Sequence, residues 1–377
     1  MKLVIYQPRA YYYTGGAEVI ALEHAKRLSR LGHEIELLSF TPPTLAPTEQ
    51  YDASYGFGIK LTSLHVPQRM RMLYSQEPGN SWRRWDEESM QLARIALPYL
   101  AAKNDIDAVV SHNLFDSLAV PEGICSIVHL HGYPLQYEYH HSLLAVLPNH
   151  YVSVSRQVAY QWDRLSSGII KSDAVVENGI DTDYFDIDRE IQRDIDILYL
   201  GRLIGVKGVD CLLRAAEGLK IEFRVVIAGD GPELKNLQML AKDLGVDNKV
   251  EFVGYVTEKQ KLDYLKRSRL AVLPSRSKEG VLTTALEAQA CGCVVISTIG
   301  TSLEELIMDG KTGFLSPPDD PKTLSRVIES ILLDQKRQIQ IGQLARENIL
   351  SKWTWDEKIK ELEGVYRTII SKKEKTH

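Results

Sequence analysis

The chain has few cysteines, no long apolar run and no excess of positive charge, and each shortage removes a class of protein. Four cysteines in 377 residues (Cys125, Cys211, Cys291 and Cys293) are too few for a disulfide scaffold. None forms the Cys-x-x-Cys spacing of a zinc or redox pair. Cys291 and Cys293 flank a single glycine where a helix pattern gives way to a strand. All four therefore read as small core residues in a reducing compartment. The ten histidines are scattered without metal-ligand spacing, and no metal is expected. No apolar stretch reaches the ~18 residues needed to cross a bilayer. Met1-Lys2 runs straight into the strand-like Leu3-Val4-Ile5-Tyr6, without a secretory leader, which points to the cytoplasm. A net charge of −5 argues against nucleic acid as a partner. No repeat of about 20–50 residues is present. The G-x-G-x-x-G turn is also missing, which weakens a dehydrogenase reading.

What is present is an ordinary globular composition, 44% apolar and 25% charged, with length for two domains at about 150 residues each. Short apolar runs alternate with helical patterns, the rhythm of parallel sheets covered by helices on both faces. The first half predicts strands near 3–6, 34–40, 60–66, 108–111, 126–130, 151–155 and 174–176, and a helix over 17–31 stopped by Gly32. The second half predicts strands near 195–200, 224–228, 250–253, 270–273, 294–297 and 313–315. Helices fill the gaps at about 209–218, 233–244, 258–267, 283–290, 303–308, 321–333 and 336–352. The polar tract 178–194 marks the boundary. The expected division is a first domain over 1–178, joined by a crossing helix over 355–377, and a second over 179–354. Trp353, Trp355, Ile359, Leu362 and Tyr366 fit one face of that tail helix, which must dock somewhere.

The densest chemistry lies in KEGVLTTALEAQACGCVVIS, residues 278–297. Glu279 falls in a glycine-bearing loop after an apolar strand, and Glu287 inside the short helix that follows. A helix start of this kind holds phosphate on its free amides, here those of Val281, Leu282 and Thr283. Helix side chains lean toward the N-terminus, so Glu287 is placed for two vicinal hydroxyls and Glu279 for a sugar beyond the diphosphate. Two solvated surface acids would give the same letters.

Four weaker elements point the same way. Arg202 and Lys207 flank a loop at a strand end, where two cations suit a diphosphate leaving group; two solvated charges are the plainer alternative. Val256-Thr257-Glu258, followed by Lys261, is a strand end entering a helix, suited to reading the edge of a base or merely to a Thr257 cap. Gly15-Gly16 opens the first helix and lets a ligand approach its amides, or is an ordinary turn. His131 ends a strand in HLHGYP and either faces a cleft or is a satisfied core histidine. Asp181-Thr182-Asp183 has the spacing of a divalent-metal pair but falls in the polar boundary tract, so metal binding there is not expected.

Taken together, these elements resemble glycosyltransferase family 4, the retaining group 1 transferases that include glycogen synthases and mannosyltransferases. The likeness covers nearly the whole chain. It is carried by the ordered set GRL…KG from Gly201, GDGPE over 229–233, VGYV over 253–256, EGVLTTALEAQACG over 279–292 and DGKTGFL over 309–315. The resemblance implies the GT-B fold, two facing Rossmann-like domains. It implies a metal-independent hexosyltransferase drawing on a nucleoside-diphosphate-sugar, UDP- or GDP-linked, with no further cofactor. Residue by residue, it makes Arg202 and Lys207 the grip on the diphosphate, Glu279 the contact to the donor sugar and Glu287 the ribose holder. Val256 to Glu258 become the base segment, Gly16 the glycine that closes over the phosphates from the other domain, and His131 the histidine beside the reacting sugar. Gly280 keeps the family pattern. Leu282 stands where many members have a second glycine, which leaves the donor sugar open.

The acceptor is less legible. A glycan, a lipid-linked acceptor or a small molecule all fit polysaccharide or glycolipid synthesis. The tract 68–85, with Arg69, Arg71, Trp82, Arg83, Arg84 and Trp85, suits a peripheral contact at the inner face of an anionic membrane, or a solvated acceptor loop. Tyr11, Tyr12 and Tyr13 offer a stacking surface for a sugar. A nucleotide-sugar epimerase and a catalytically silent partner of the same fold are the alternatives to transfer.

Overall fold

The computed structural model describes residues 1–13, 15–43, 45–67, 82–134, 149–188, 190–276 and 283–374. The chain divides into two compact units, Met1–Glu177 with Lys358–His377, and Asn178–Glu357. The first contains β1 (Lys2–Tyr6), α1 (Gly16–Arg30), β2 (Glu34–Thr41), α2 (Glu49–Asp52), β3 (Lys60–His65), α3 (Trp82–Ala101), β4 (Ala108–Ser111), β5 (Cys125–Leu130), β6 (Asn149–Ser153), α4 (Arg156–Leu165) and β7 (Ala174–Val175). The second contains β8 (Ile195–Leu200), α5 (Val209–Glu217), β9 (Val225–Ala228), α6 (Leu234–Asp243), β10 (Val250–Gly254), α7 (Glu258–Arg267), β11 (Ser268–Leu273), α8 (Thr283–Ala290), β12 (Val294–Thr298), β13 (Gly313–Ser316), α9 (Pro321–Leu332) and α10 (Gln335–Lys352). The last helix, α11 (Trp355–Glu374), closes the described chain.

The sheets run β3-β2-β1-β4-β5-β6-β7 and β10-β9-β8-β11-β12-β13, and the pairings within them are parallel. Each order starts in the middle, builds outward, then reverses to the other side. The reversals lie between β1 and β4 and between β8 and β11. At such a point the following loops diverge and leave a crevice beyond the carboxyl ends of the strands.

Alternation along each strand explains the layers. Leu3 and Ile5 of β1 pack with Ala21, Ala25 and Leu28 of α1 and with Ile359, Leu362, Tyr366 and Ile369 of α11. Val4 and Tyr6 point the other way, against Leu92, Ala93, Ala96 and Leu100 of α3. In the second unit Ile197 and Tyr199 meet Leu212, Ala216 and Ile328, while Leu198 and Val226 meet Ala285 and Leu286 of α8. Each aliphatic side chain so buried contributes about 1.5–3 kcal/mol. The α/β architecture with two parallel sheets is as the sequence predicts, and Gly32 ends α1 with φ +86°.

Three local expectations change. The helix foreseen over 303–308 is a short 3₁₀ turn, Ser302–Glu305, because Thr301 caps it at Leu303 and the next apolar residues, Leu306 and Ile307, turn inward instead of continuing. Trp353 does not share the face of α11; it caps α10 and lies in the second unit's core with Ile180 and Ile349. Tyr12 offers no stacking surface, since it is buried and its hydroxyl donates to Glu88 at 2.9 Å. Of the tract 68–85, residues 68–81 lie outside the described residues. Trp85 begins the described side chains of α3 and packs against Arg9, 4.5 Å from the ring centroid, and Tyr13.

Candidate functional site

At the second unit's reversal, the loop leaving β8 is pinned from several sides. Gly201 N–H donates to the Ala228 carbonyl at 3.0 Å and Leu203 N–H to Asp230 at 2.8 Å. The Tyr199 hydroxyl donates to the Arg202 carbonyl at 2.9 Å. A single 3₁₀ turn, Gly205–Lys207, then ends at Gly208 with φ +68°. A Cβ at Gly208 would stand 2.0 Å from the Pro274 carbonyl oxygen, so only glycine lets this loop lie against the end of β11.

Arg276, which the sequence reading did not single out, locks the arrangement. Its guanidinium reaches both Asp210 carboxylate oxygens at 2.7 Å and the Gly205 carbonyl at 2.8 Å, and it also bonds Asp319. Its backbone N–H donates to Val206 at 2.7 Å, and Ser275 Oγ bonds the same carbonyl at 3.2 Å. The arginine holds the Asp210 carboxyl below its ordinary range, chiefly through that hydrogen bond. The outcome is a small open pocket lined by Tyr199, Leu200, Gly201, Lys207, Leu273, Ser275 and Thr284. Lys207 and the first turn of α8 thus share one wall, although 77 positions separate Lys207 from Thr284. Arg202 is exposed at the same strand end. The available signal for Arg276 was its place three residues beyond β11, at a strand's carboxyl end.

One turn along α8, Glu287 is buried. Its Oε1 accepts from Lys261 Nζ at 2.8 Å, and Lys261 also meets Glu258 at 2.8 Å. Glu287 Oε2 is buried with no hydrogen-bond partner among the described residues. Burial raises the Glu287 carboxyl above its ordinary value and Lys261 opposes that rise. Lys261 is disfavoured by burial as well, yet the two carboxylates raise it. An orphaned carboxylate oxygen here is a feature that a ligand hydroxyl would satisfy. Thr257 caps α7 in a reciprocal pair with Gln260. Its side chain is therefore occupied, leaving the half-buried Val256 and the exposed ring of Tyr255 at that edge. Glu279, Gly280, Val281 and Leu282 lie outside the described residues; Thr283 opens α8.

Asp181 Oδ1 accepts the backbone N–H groups of Asp183 and Tyr184 at 3.2 and 3.1 Å. That carboxylate serves a local turn. In the first unit Gly16 is the first residue of α1, and a Cβ there would meet nothing within 4 Å, while the Glu18 carboxylate already accepts hydrogen bonds from the backbone of Gly15 and of Glu18 itself at this helix start. His131, just past β5, is hydrogen-bonded through Nε2 to His112 Nδ1 at 2.8 Å. Burial lowers its pKa to about 4, so its imidazole is neutral near pH 7.

The family model for group 1 glycosyl transferases matches residues 182–348, and the model for Glycosyltransferase Family 4 matches residues 14–184. The chain belongs to this glycosyltransferase family. Among relatives, it is 29% identical over 196 residues to a GDP-mannose-dependent alpha-(1-6)-phosphatidylinositol monomannoside mannosyltransferase of Mycolicibacterium smegmatis, covering 47% of this chain and 51% of that one. It is 30% identical over 190 residues to a D-inositol 3-phosphate glycosyltransferase of Acidothermus cellulolyticus, covering 47% and 42%. The chain thus spans about half the length of the curated relatives it matches. Sucrose-phosphate synthase from Thermosynechococcus elongatus superposes with a TM-score of 0.81 over 98% of this chain and 99% of that one. Anabaena HepE, solved with UDP and glucose, does so at 0.77 over 98% and 100%. Both are 16% identical to this chain, and the likeness establishes the GT-B fold. No described helix is long and apolar enough to cross a membrane.

Proposed function

We propose that this family member transfers a hexosyl group from a nucleoside-diphosphate-sugar to an acceptor hydroxyl with retention of configuration, using no metal at the diphosphate. The observation that carries the reading is the Glu287 carboxylate. One oxygen is held by Lys261 and the other is buried without a partner, on the helix whose first turn shares a pocket with Lys207. A ribose diol would satisfy that oxygen. The diphosphate would lie over the first turn of α8, against Lys207 and Arg202, and the base would lie along Val256 to Glu258. Glu279 would face the sugar. Gly16 and His131 would act from the first unit, which takes the acceptor, while the second takes the donor.

In the transfer, the bond from the anomeric carbon to the diphosphate oxygen breaks and a bond to the acceptor oxygen forms. The acceptor's proton leaves on the released nucleoside diphosphate. Lys207, Arg202 and the helix amides stabilise the charge that develops on that leaving group. The neutral His131 is suited to a hydrogen bond with the sugar rather than to ion pairing. The mycobacterial relative is named for GDP-mannose and HepE was solved with UDP, so guanosine and uridine donors are the first to try. A glycan or lipid-linked acceptor at the cytoplasmic face of a membrane suits a donor made in the cytoplasm, with 68–85 as the contact segment.

The test is thermal stabilisation by UDP, GDP, ADP, TDP and their sugar conjugates, with and without chelator. A shift specific to one base and equal in chelator is expected. No shift with any nucleotide would overturn the reading, and a shift abolished by chelator would overturn its metal-free form.

A further inference from the structure

Three histidines far apart in sequence, His24 on α1, His112 after β4 and His129 on β5, meet inside the first unit, and all are buried. One ring nitrogen from each lies within 4.8 Å of the others. The His24 ring centroid is 5.3 Å from that of His112 and 5.0 Å from that of His129, and the latter two are 4.8 Å apart. We infer that His24, His112 and His129 form a binding site for a divalent transition-metal ion of the zinc class.

The hydrogen bonds around the rings carry the argument. His129 Nε2 is bonded to the Tyr366 hydroxyl at 2.6 Å, and His129 Nδ1 is buried with no partner among the described residues. His112 Nδ1 is bonded to His131 at 2.8 Å, and His112 Nε2 is likewise buried without a partner. In these two rings, His112 and His129, one nitrogen is fixed by an outer neighbour and the other has no partner among the described residues. This is the pattern of a metal-binding imidazole, whose outer hydrogen bond sets ring orientation and tautomer. Left empty, each of these two nitrogens is a buried polar atom whose lost hydration nothing compensates. Burial also holds all three rings below their ordinary pKa, so they carry lone pairs rather than protons at neutral pH. Imidazole nitrogens select zinc, cobalt, nickel or copper over magnesium and calcium. The His112 and His129 rings are nearly parallel, 11° apart, so ligand bonds of ~2.0–2.1 Å require one of them to rotate as the three nitrogens draw together. The fourth position is left to water or an anion. Bound there, the ion would tie α1 to β4 and β5, and through Tyr366 to α11.

The experiment uses the full chain, freed of metal and titrated with Co²⁺ and Zn²⁺. One equivalent should bind, with visible cobalt bands of low coordination number, and X-ray absorption at the zinc edge should count three imidazoles and no sulfur. Tyr366→Phe keeps all three ligands, so it should retain the stoichiometry while weakening affinity ~10- to 100-fold. His129→Ala should lose stoichiometric binding. Absence of binding at one equivalent would overturn the inference, as would fewer than three imidazoles, a sulfur ligand, or unchanged affinity in Tyr366→Phe. The absorption count and Tyr366→Phe decide the matter even where His129→Ala does not fold. A chain that binds nucleotide but no metal would overturn this inference and leave the proposed function standing.

Discussion

Lys261 Nζ lies 2.8 Å from Glu287 Oε1 and 2.8 Å from Glu258 Oε2, so one ammonium ties α7 to α8. The lysine and Glu287 side chains are only 13% and 9% exposed. Removing one partner of such a pair strands the other in a poor solvent for charge. Lys261→Met should therefore destabilise the chain by about 3–5 kcal/mol. Lys261→Met combined with Glu287→Gln should recover part of that loss. Urea unfolding of the two single variants and the double provides the cycle; strictly additive effects would show that the pair is not coupled.

Lys207 is offered as a cation that acts on the leaving diphosphate. Lys207→Ala should slow transfer ~100-fold or more, the usual effect of deleting one preorganised donor worth about 2.7–4 kcal/mol. The melting temperature without ligand should stay close to that of the parent. Turnover equal to the parent would remove Lys207 from the mechanism.

Arg276 positions the Lys207 loop through Asp210 and the Gly205 carbonyl. Arg276→Ala should lower kcat/KM by ~10- to 100-fold through misplacement of that loop. Arg276→Lys should rescue little, because an ammonium does not reproduce the two-pronged bond to Asp210. Full rescue by lysine would mean that charge alone matters there.

Gly208 combines φ +68° with a Cβ position 2.0 Å from a backbone carbonyl. Gly208→Ala must either shift the loop or move β11, and should cost at least about 1–3 kcal/mol. Differential scanning calorimetry would read this as a clear fall in melting temperature. Gly16→Ala, where a Cβ meets nothing within 4 Å, should leave the melting temperature unchanged.

Asp116 supplies a pH dependence. Burial raises its pKa to about 7 against the pull of Arg9, with Glu18 and Asp86 adding to the rise. The folded state therefore holds a proton that the unfolded chain, titrating near the usual ~3.9, has already lost. The stability due to this group is complete below pH ~4 and is lost as pH rises through about 7. Asp116→Asn should flatten the stability profile between those values. An unchanged slope would assign it to other groups.

The sequence was most legible where information is local. Leu3 to Tyr6, Ile195 to Leu200 and Leu270 to Leu273 read as strands because buried parallel strands are apolar on both faces. Gly32 read as a stop because few other residues adopt its backbone angles cheaply. The 3₁₀ turn at Ser302 was missed because its apolar spacing imitates a helix, and only the inward packing of Leu306 and Ile307 tells them apart. Glu287 and Lys207 were chosen by residue type at a strand or helix end. The bond between Glu287 and Lys261 was not legible, since 26 positions separate them.

By itself, then, the sequence determined the alternation of strands and helices, the family and the loops that bear charge, all properties of short windows or of ordered motifs. The tertiary structure alone decided that Arg276 clamps Asp210, 66 positions away, and that His24, His112 and His129 share one interior. In a sheet that starts in its middle and builds outward, neighbours in space are set by strand order and register. No local pattern records which distant residues that order will bring together.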